Sequence, residues 1–409
     1  MNKRVVITGL GVVSPIGIGK DAFWKALEDG VCGIDYIQSF DPSEFPVKIA
    51  AEVKAFEPET YMPRKDAKRA DRVIQFATAA SKMAIEDSKL NLEEIDATRF
   101  GVYIGTGQGG ITTCFDNVEL MLNGGHRKVS PFFIPMMITN MSAAYVAIQV
   151  GAKGPNMCVT TACASGVNSI GEAYRALQRG DVDLMLAGGS EAGVKALCVA
   201  GFAAMKALST NPDPDKACRP FDKDRDGFII GEGAGVVVLE ELEHAKRRGA
   251  HIYAEVVGYG NTCDAGHITA PDAEGDGAAR SMQIAIREAG LDFVDYINAH
   301  GTSTGLNDAM ESKAINRIFG DRAPEIAVTA TKSLIGHGLG AAGGMEVVAT
   351  MQAFEQGLIH KTRNLDNQDS ECNVTVVTEN MHRDVKSALC NSFGFGGHNA
   401  VLCFKKYDE

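Results

Sequence analysis

The chain has 409 residues, 45% hydrophobic and 22% charged, a balance that suits one large or two fused globular domains and excludes a disordered or fibrous protein. A formal charge of -12 excludes a general nucleic-acid binder, because neutralising phosphates needs a broad basic surface. The ten cysteines are scattered, with neither CxxC pairs nor the density of a small secreted scaffold, so reduced thiols in a cytoplasmic protein are expected.

In chain order, MNKRVVITGLGVVSPIG joins basic residues to a short apolar run, but Gly9, Gly11 and Pro15 interrupt it, so a first core strand is expected rather than a signal peptide. DAFWKALEDG has helical period, and so has the long amphipathic stretch ADRVIQFATAASKMAIEDSKL before the strand FGVYIGTG. CVTTA is expected as a strand running into the helix SGVNSIGEAYRALQRG, and VDLMLAGG as a strand before the helix VKALCVAGFAAMKAL. Further on, the strand YINAHGTS precedes the helix DAMESKAINRIFG. This alternation predicts an α/β architecture with buried sheets. No segment approaches the roughly 18 to 20 uninterrupted apolar residues of a membrane span.

A long internal repeat overlies this alternation. GEGAGVVVLEE and GFGGHNAVLCF are both Gly-rich turns leading into apolar strands, and CVTTACASG with its helix parallels AVTATKSLIGHGLGAAGGMEVVATMQAFEQ. Two similar halves, 1–250 and 251–409, are expected, with their Gly-rich strand ends converging on one site.

TTACASG places Cys163 at a helix N-terminus, where unpaired N–H groups and the helix dipole lower a thiol pKa and where Ala162, Ala164 and Gly166 leave room for a substrate. An ordinary buried cysteine, as assumed for Cys114, Cys198 and Cys403, fits the same local context. His300 in NAHGTST and His337 in TKSLIGHGLGAAG occupy strand-end turns, where neutral imidazoles can donate to a thioester oxygen and stabilise an enolate. A structural role is the alternative for either one. Lys332 is placed to pair with Asp308 or Glu311, and Glu346, in an apolar stretch, needs a partner or a cation. The GxGxxG strings at Gly105 and Gly338 lack the downstream acidic strand of a dinucleotide site, and GGSEAG around Ser190 has the wrong spacing for a nucleophile elbow.

Taken in order, TTACASG, NAHGTST, TKSLIGHGLGAAG and NSFGFGGHN, together with RPFDKDRDGFIIGEGAG, resemble the type II elongating β-ketoacyl-acyl-carrier-protein synthases, the condensing enzymes of fatty-acid synthesis. The resemblance spans nearly the whole chain. It implies a thiolase fold, a five-layer αβαβα arrangement of two similar halves, and a homodimer. It implies decarboxylative condensation of a Cys163-bound acyl chain with malonyl-acyl carrier protein, the malonyl thioester being bound and decarboxylated by His300 and His337. Lys332, Glu311, Glu346 and Asp308 are implied as their support. The N–H groups of Cys163 and Phe395 are implied as the oxyanion hole, with the Phe395 side chain as a gate. Thr302 and Thr304 would hold the phosphopantetheine arm, and Gln108 and Phe202 would line the substrate site. No cofactor is implied beyond a monovalent cation at Asn298, Glu346, Asn391 and Ser392. The acidic carrier protein is expected on Lys65, Lys68, Arg69, Arg127, Lys128 and Lys206.

Two positions depart from the family's usual pattern: Gln108 stands where an apolar or small residue lines the acyl pocket, and His398 replaces a threonine. The alternatives are a polyketide ketosynthase and a non-catalytic chain-length-factor subunit, which is expected to lack the cysteine. A degradative thiolase is expected to carry a second cysteine near the C-terminal Gly-rich motif, where this chain has Phe393, Phe395 and His398.

Overall fold

Val5–Ser14 (β1) is buried along its whole length, as a nearly all-apolar strand covered on both faces must be. The structure, a computed structural model, describes residues 3–408. After β1 the first repeat continues through Arg72–Ser88 (α1), Phe100–Gly105 (β2), Met141–Val150 (α2), Asn156–Met157 (β3), Ser165–Arg179 (α3), Leu184–Glu191 (β4) and Gly233–Glu241 (β5). The second runs Ala254–Cys263 (β6), Asp276–Glu288 (α4), Tyr296–Asn298 (β7), Gly305–Phe319 (α5), Ala327–Thr329 (β8), Ala342–Gln356 (α6), Ser387–Gly394 (β9) and His398–Lys405 (β10). The succession β-α-β-α-β-α-β-β therefore occurs twice.

The pairing repeats as well. Strand order is β8-β7-β9-β10-β6-β1-β5-β4-β2-β3, so from the centre outward each half places its first, fifth, fourth, second and third strands. In each half the two inner pairings are antiparallel and the two outer ones parallel. The parallel pairs need crossovers, which the helices supply. The halves are sewn together where Val5, Val6 and Ile7 pair antiparallel with Val256, Glu255 and Ala254.

Helices α3 and α6 lie between the two halves and touch each other and strands of both, while α1 and α2 cover the outer face of the first half and α4 and α5 that of the second. This is a five-layer αβαβα stack. The central position explains why every residue of α6 from Ala342 to Phe354 is buried, where a surface helix would show a polar face. Close approach there depends on glycine: a Cβ at Gly344 would lie 2.2 Å from the Gly235 carbonyl oxygen, and one at Gly166 would lie 2.9 Å from Gly344 N. Gly166 thus lets the central helices meet; it does not make room for a substrate, as its place beside Cys163 suggested.

The strand expected at CVTTA is displaced. Pairing with β2 is confined to Asn156 and Met157, and residues 158–161 run irregularly into a single 3-10 turn, Ala162–Ala164, before α3. The helix expected over VKALCVAGFAAMKAL is shorter, Ala196–Ala204. No helix among the described residues is long and apolar enough to cross a membrane.

Candidate active site

Cys163 sits in the turn between β3 and α3, and the bend is made by Ala162, a non-glycine residue with φ of 50°. Such a left-handed residue costs on the order of 1–2 kcal/mol and persists only where its surroundings hold it. Three side chains do so. The Ser165 hydroxyl donates to the Ala162 carbonyl at 2.6 Å and accepts from Thr161 N at 2.9 Å. Asn168 receives the Thr161 hydroxyl at 2.7 Å, and from the other repeat the Ser392 hydroxyl donates to the Cys163 carbonyl at 2.9 Å. The backbone N–H groups of Phe395 and of Cys163 itself favour the thiolate form of Sγ. Gly394 permits this approach, since a Cβ there would lie 3.2 Å from Cys163 N and 2.6 Å from the Thr161 oxygen.

His337 Nε2 lies 3.1 Å from Cys163 Sγ. Its Nδ1 accepts the Leu339 N–H at 3.2 Å, so the neutral ring carries its proton on Nε2, facing the sulfur. The His300 ring stands edge to face with that of His337 at 5.4 Å. His300 Nδ1 is buried without a hydrogen-bond partner among the described residues, which leaves Nε2 as the nitrogen available to a substrate. Burial holds both histidines well below the ordinary imidazole range, and the Lys332 charge pushes them the same way. Both rings are therefore neutral donors.

Burial pushes the Cys163 thiol up to about 12, against the Lys332 charge and the two N–H groups that favour thiolate. The sequence position at a helix start pointed to a lowered pKa. The pocket reverses the sign because desolvating a sulfur anion outweighs partial charges at a helix end. The resting pair is a neutral thiol beside a neutral imidazole.

Lys332 is fully buried and forms a short ion pair with Glu346. It does not pair with Asp308 or Glu311. Asp308 accepts from Phe221 N at 2.9 Å and faces the Arg225 guanidinium at 3.7 Å. Glu311 accepts the His300 and Gly301 N–H groups at 2.9 Å each and Asn391 Nδ2 at 3.0 Å, which fixes the His300 turn, while burial pushes its carboxyl up to about 6. Of the four residues expected at a cation, Asn298 accepts the Thr331 hydroxyl and Ser392 is engaged with Cys163, whereas Glu346 Oε2 and Asn391 Oδ1 are buried oxygens without partners among the described residues.

Cys163, His300 and His337 open into one cavity of about 350 Å³, with Phe202, Phe395 and Phe228 among its walls. Thr302 and Thr304 line it further out, their hydroxyls 2.9 Å apart, and Lys206 also lines it. Gln108 is not part of this lining; its Oε1 accepts the Cys198 S–H at 3.3 Å. Lys65, Lys68, Arg69, Arg127, Lys128 and Lys206 are all exposed, and none forms an ion pair among the described residues. Arg69 lies over the Phe132 ring at 4.3 Å, next to the segment that carries Arg127 and Lys128.

Two family descriptions match this chain: "Beta-ketoacyl synthase, N-terminal domain" over residues 2–245 and "Beta-ketoacyl synthase, C-terminal domain" over 253–366. The chain belongs to the β-ketoacyl synthase family. It is 50% identical to the 3-oxoacyl-[acyl-carrier-protein] synthase 2 of Synechocystis sp., over 99% of this chain and 98% of that one. It superposes with a TM-score of 0.94 on the ishigamide ketosynthase/chain length factor, at 37% identity and with all of both chains covered. A type II polyketide ketosynthase, AntDE, solved in complex with its acyl-carrier protein AntF and bound to the hexaketide, gives a TM-score of 0.93 at 33% identity, again over all of both chains. The five-layer stack is the thiolase fold of these ketosynthases.

One buried acid near the thiol of this β-ketoacyl synthase was not singled out from sequence. Glu191, in the GGSEAG string, accepts hydrogen bonds from Thr106, Gly107, Gln108 and Gly340. Burial pushes its carboxyl up to about 7, and its charge opposes ionisation of Cys163. A strand of buried apolar residues that ends in Glu is the one local signal that could have found it.

Proposed function

We propose that this β-ketoacyl synthase joins a Cys163-bound acyl chain to malonyl-acyl carrier protein in fatty-acid elongation, giving a 3-oxoacyl carrier two carbons longer. The observation that carries the reading is that Cys163, His300 and His337 open into one cavity, with His337 Nε2 3.1 Å from the thiol and both rings neutral. A chain-length-factor subunit would need none of these. The chemistry divides into two stages at this one sulfur.

In the first, the Cys163 sulfur attacks the acyl thioester carbon, the carbonyl oxygen gathers charge between the N–H groups of Cys163 and Phe395, and the carbon–sulfur bond to the carrier breaks. The proton lost by Cys163 leaves on the carrier thiol, so the exchange is proton-neutral. The high thiol pKa of the empty pocket is compatible with this, because the anion is needed only while substrate is bound. In the second stage His300 and His337 donate to the malonyl thioester oxygen. The bond to the malonyl carboxylate breaks, carbon dioxide leaves, and its electron pair forms the enolate, which attacks the acyl carbon and expels the Cys163 thiolate. One proton from solvent restores the thiol. Neutral rings suit this step: they donate throughout and do not quench the enolate by proton transfer as imidazolium would.

Lys332 serves by its charge, which adds to burial in keeping both rings neutral, and by its pairing with Glu346; Glu311 holds the His300 turn. Glu346 Oε2 and Asn391 Oδ1 would hold a monovalent cation, whose role is to neutralise buried oxygens and brace β9 beside the site. Thr302 and Thr304 receive the phosphopantetheine arm, and the six exposed cations receive the acidic carrier. Two copies of the chain associate through the end of the sheet: β3 is an exposed edge strand, and α2, which packs on it, leaves Ile148 70% exposed.

Incubation with an acyl-carrier thioester, read by intact mass, tests the first stage. A single acyl adduct that disappears in Cys163→Ala is expected, and an adduct of equal size on the variant would contradict it.

A further inference from the structure

Glu191 ends β4, is fully buried and meets no cation among the described residues. Its carboxylate is instead shared between the repeats. Oε1 accepts the Thr106 hydroxyl at 2.9 Å and Gln108 N–H at 3.1 Å; Oε2 accepts Gly107 N–H at 2.7 Å and Gly340 N–H at 3.0 Å. Three of these donors belong to the loop after β2, which carries Gln108 and, through it, Cys198. The fourth belongs to the turn after His337.

That turn needs holding. Leu339 has φ of 49°, an unfavourable conformation for a branched side chain, and its N–H is the group that caps His337 Nδ1. There is no slack between the pieces: a Cβ at Gly340 would lie 2.5 Å from Gly107 N and 2.8 Å from Glu191 Oε2.

We propose that Glu191 is a positioning residue that ties the Thr106–Gln108 loop of the first repeat to the His337 turn of the second, keeping His337 Nε2–H aimed at Cys163. The inference rests on the decarboxylating role given to His337 above. All four partners donate, so a carboxylate satisfies them, whereas an amide of the same shape presents its NH2 group to two donors and breaks one edge of the bridge.

The test is Glu191→Gln, measured separately for Cys163 acylation and for release of labelled inorganic carbon from malonyl carrier, alone and combined with His337→Ala. Acylation within about 3-fold of parental is expected. Decarboxylation should fall on the order of 10- to 100-fold, since small displacements of a positioned group cost rate of this size. The double variant should be no slower than His337→Ala alone, because both changes remove one function. Parental decarboxylation in Glu191→Gln, equal losses in both stages, or multiplied losses in the double variant would each overturn the proposal. If Glu191→Gln does not fold, Thr106→Val removes one donor and keeps the acid; a several-fold loss confined to decarboxylation supports the bridge, and no loss or an equal loss in both stages refutes it. A parental protein that acylates but does not decarboxylate malonyl carrier would instead sink the function proposed for His337, and this inference with it.

Discussion

His337 Nε2 lies 3.1 Å from Cys163 Sγ although the two residues are 174 apart in sequence and belong to different repeats. The contact exists because each repeat delivers one small-residue turn, at the start of α3 and ahead of α6, to the seam where those helices cross at Gly166 and Gly344. Neither half could assemble it alone.

Because burial pushes the Cys163 thiol up to about 12, its reactivity in the substrate-free protein should follow the small thiolate fraction. Alkylation by iodoacetamide should rise about tenfold per pH unit from pH 6 to 9, with no plateau. A plateau by pH 7 would mean a standing thiolate and would contradict the neutral pair.

The depressed histidines give a second pH prediction. A base whose folded-state pKa lies well below 6.5 stays neutral at every pH above that value and for some way beneath it. The pH profile of malonyl decarboxylation in Glu191→Gln should therefore be flat between pH 8 and pH 6.5, whereas the parental protein, in which burial pushes the Glu191 carboxyl up to about 7, should lose rate as pH falls through that value. A loss with a midpoint between 6.5 and 7 that persists in Glu191→Gln would show that an ordinary histidine carries the step.

Separate removal of the two rings should distinguish the stages. His300→Ala and His337→Ala should each keep acylation of Cys163 while losing decarboxylation by about 10²-fold or more, as loss of a positioned oxyanion donor does. Inorganic-carbon release at the parental rate in both would show that the enolate is stabilised elsewhere.

Lys332 and Glu346 form a buried ion pair, and breaking such a pair strands a charge. Lys332→Ala should cost about 3–5 kcal/mol in urea unfolding, while Lys332→Met with Glu346→Leu should recover part of that loss yet remain inactive. Full stability of Lys332→Ala would mean that water or a cation already screens Glu346.

Carrier docking should be electrostatic. Replacing Lys68 and Lys206 by Glu should raise KM for the carrier several-fold with kcat little changed, and added salt should narrow the difference. A fall in kcat at constant KM would place these residues in the chemistry.

The strand-and-helix alternation and the duplication were legible because each is written in local periodicity: VVITGLG reads as a buried strand wherever it lies. The Gly-rich turns at Cys163 and His337 were legible for the same reason. What escaped were properties set by distant partners. Whether Lys332 pairs with Asp308, Glu311 or Glu346 depends on how α5 and α6 lie, and nothing in their spacing ranks the three acids. The thiol pKa was misjudged because a helix start is visible in sequence and the dryness of the pocket above it is not. Gly166 looked like space for a ligand, but its missing side chain is filled by the backbone of the opposite repeat.

In the proposed cycle one sulfur both receives and surrenders the growing chain. Enzyme acylated on Cys163, freed of carrier and mixed with malonyl carrier in a single turnover, should lose its acyl mass at the rate at which a 3-oxoacyl carrier two carbons longer appears. Release of the acyl group as free acid with no elongated carrier, or elongation that persists in Cys163→Ala, would contradict it.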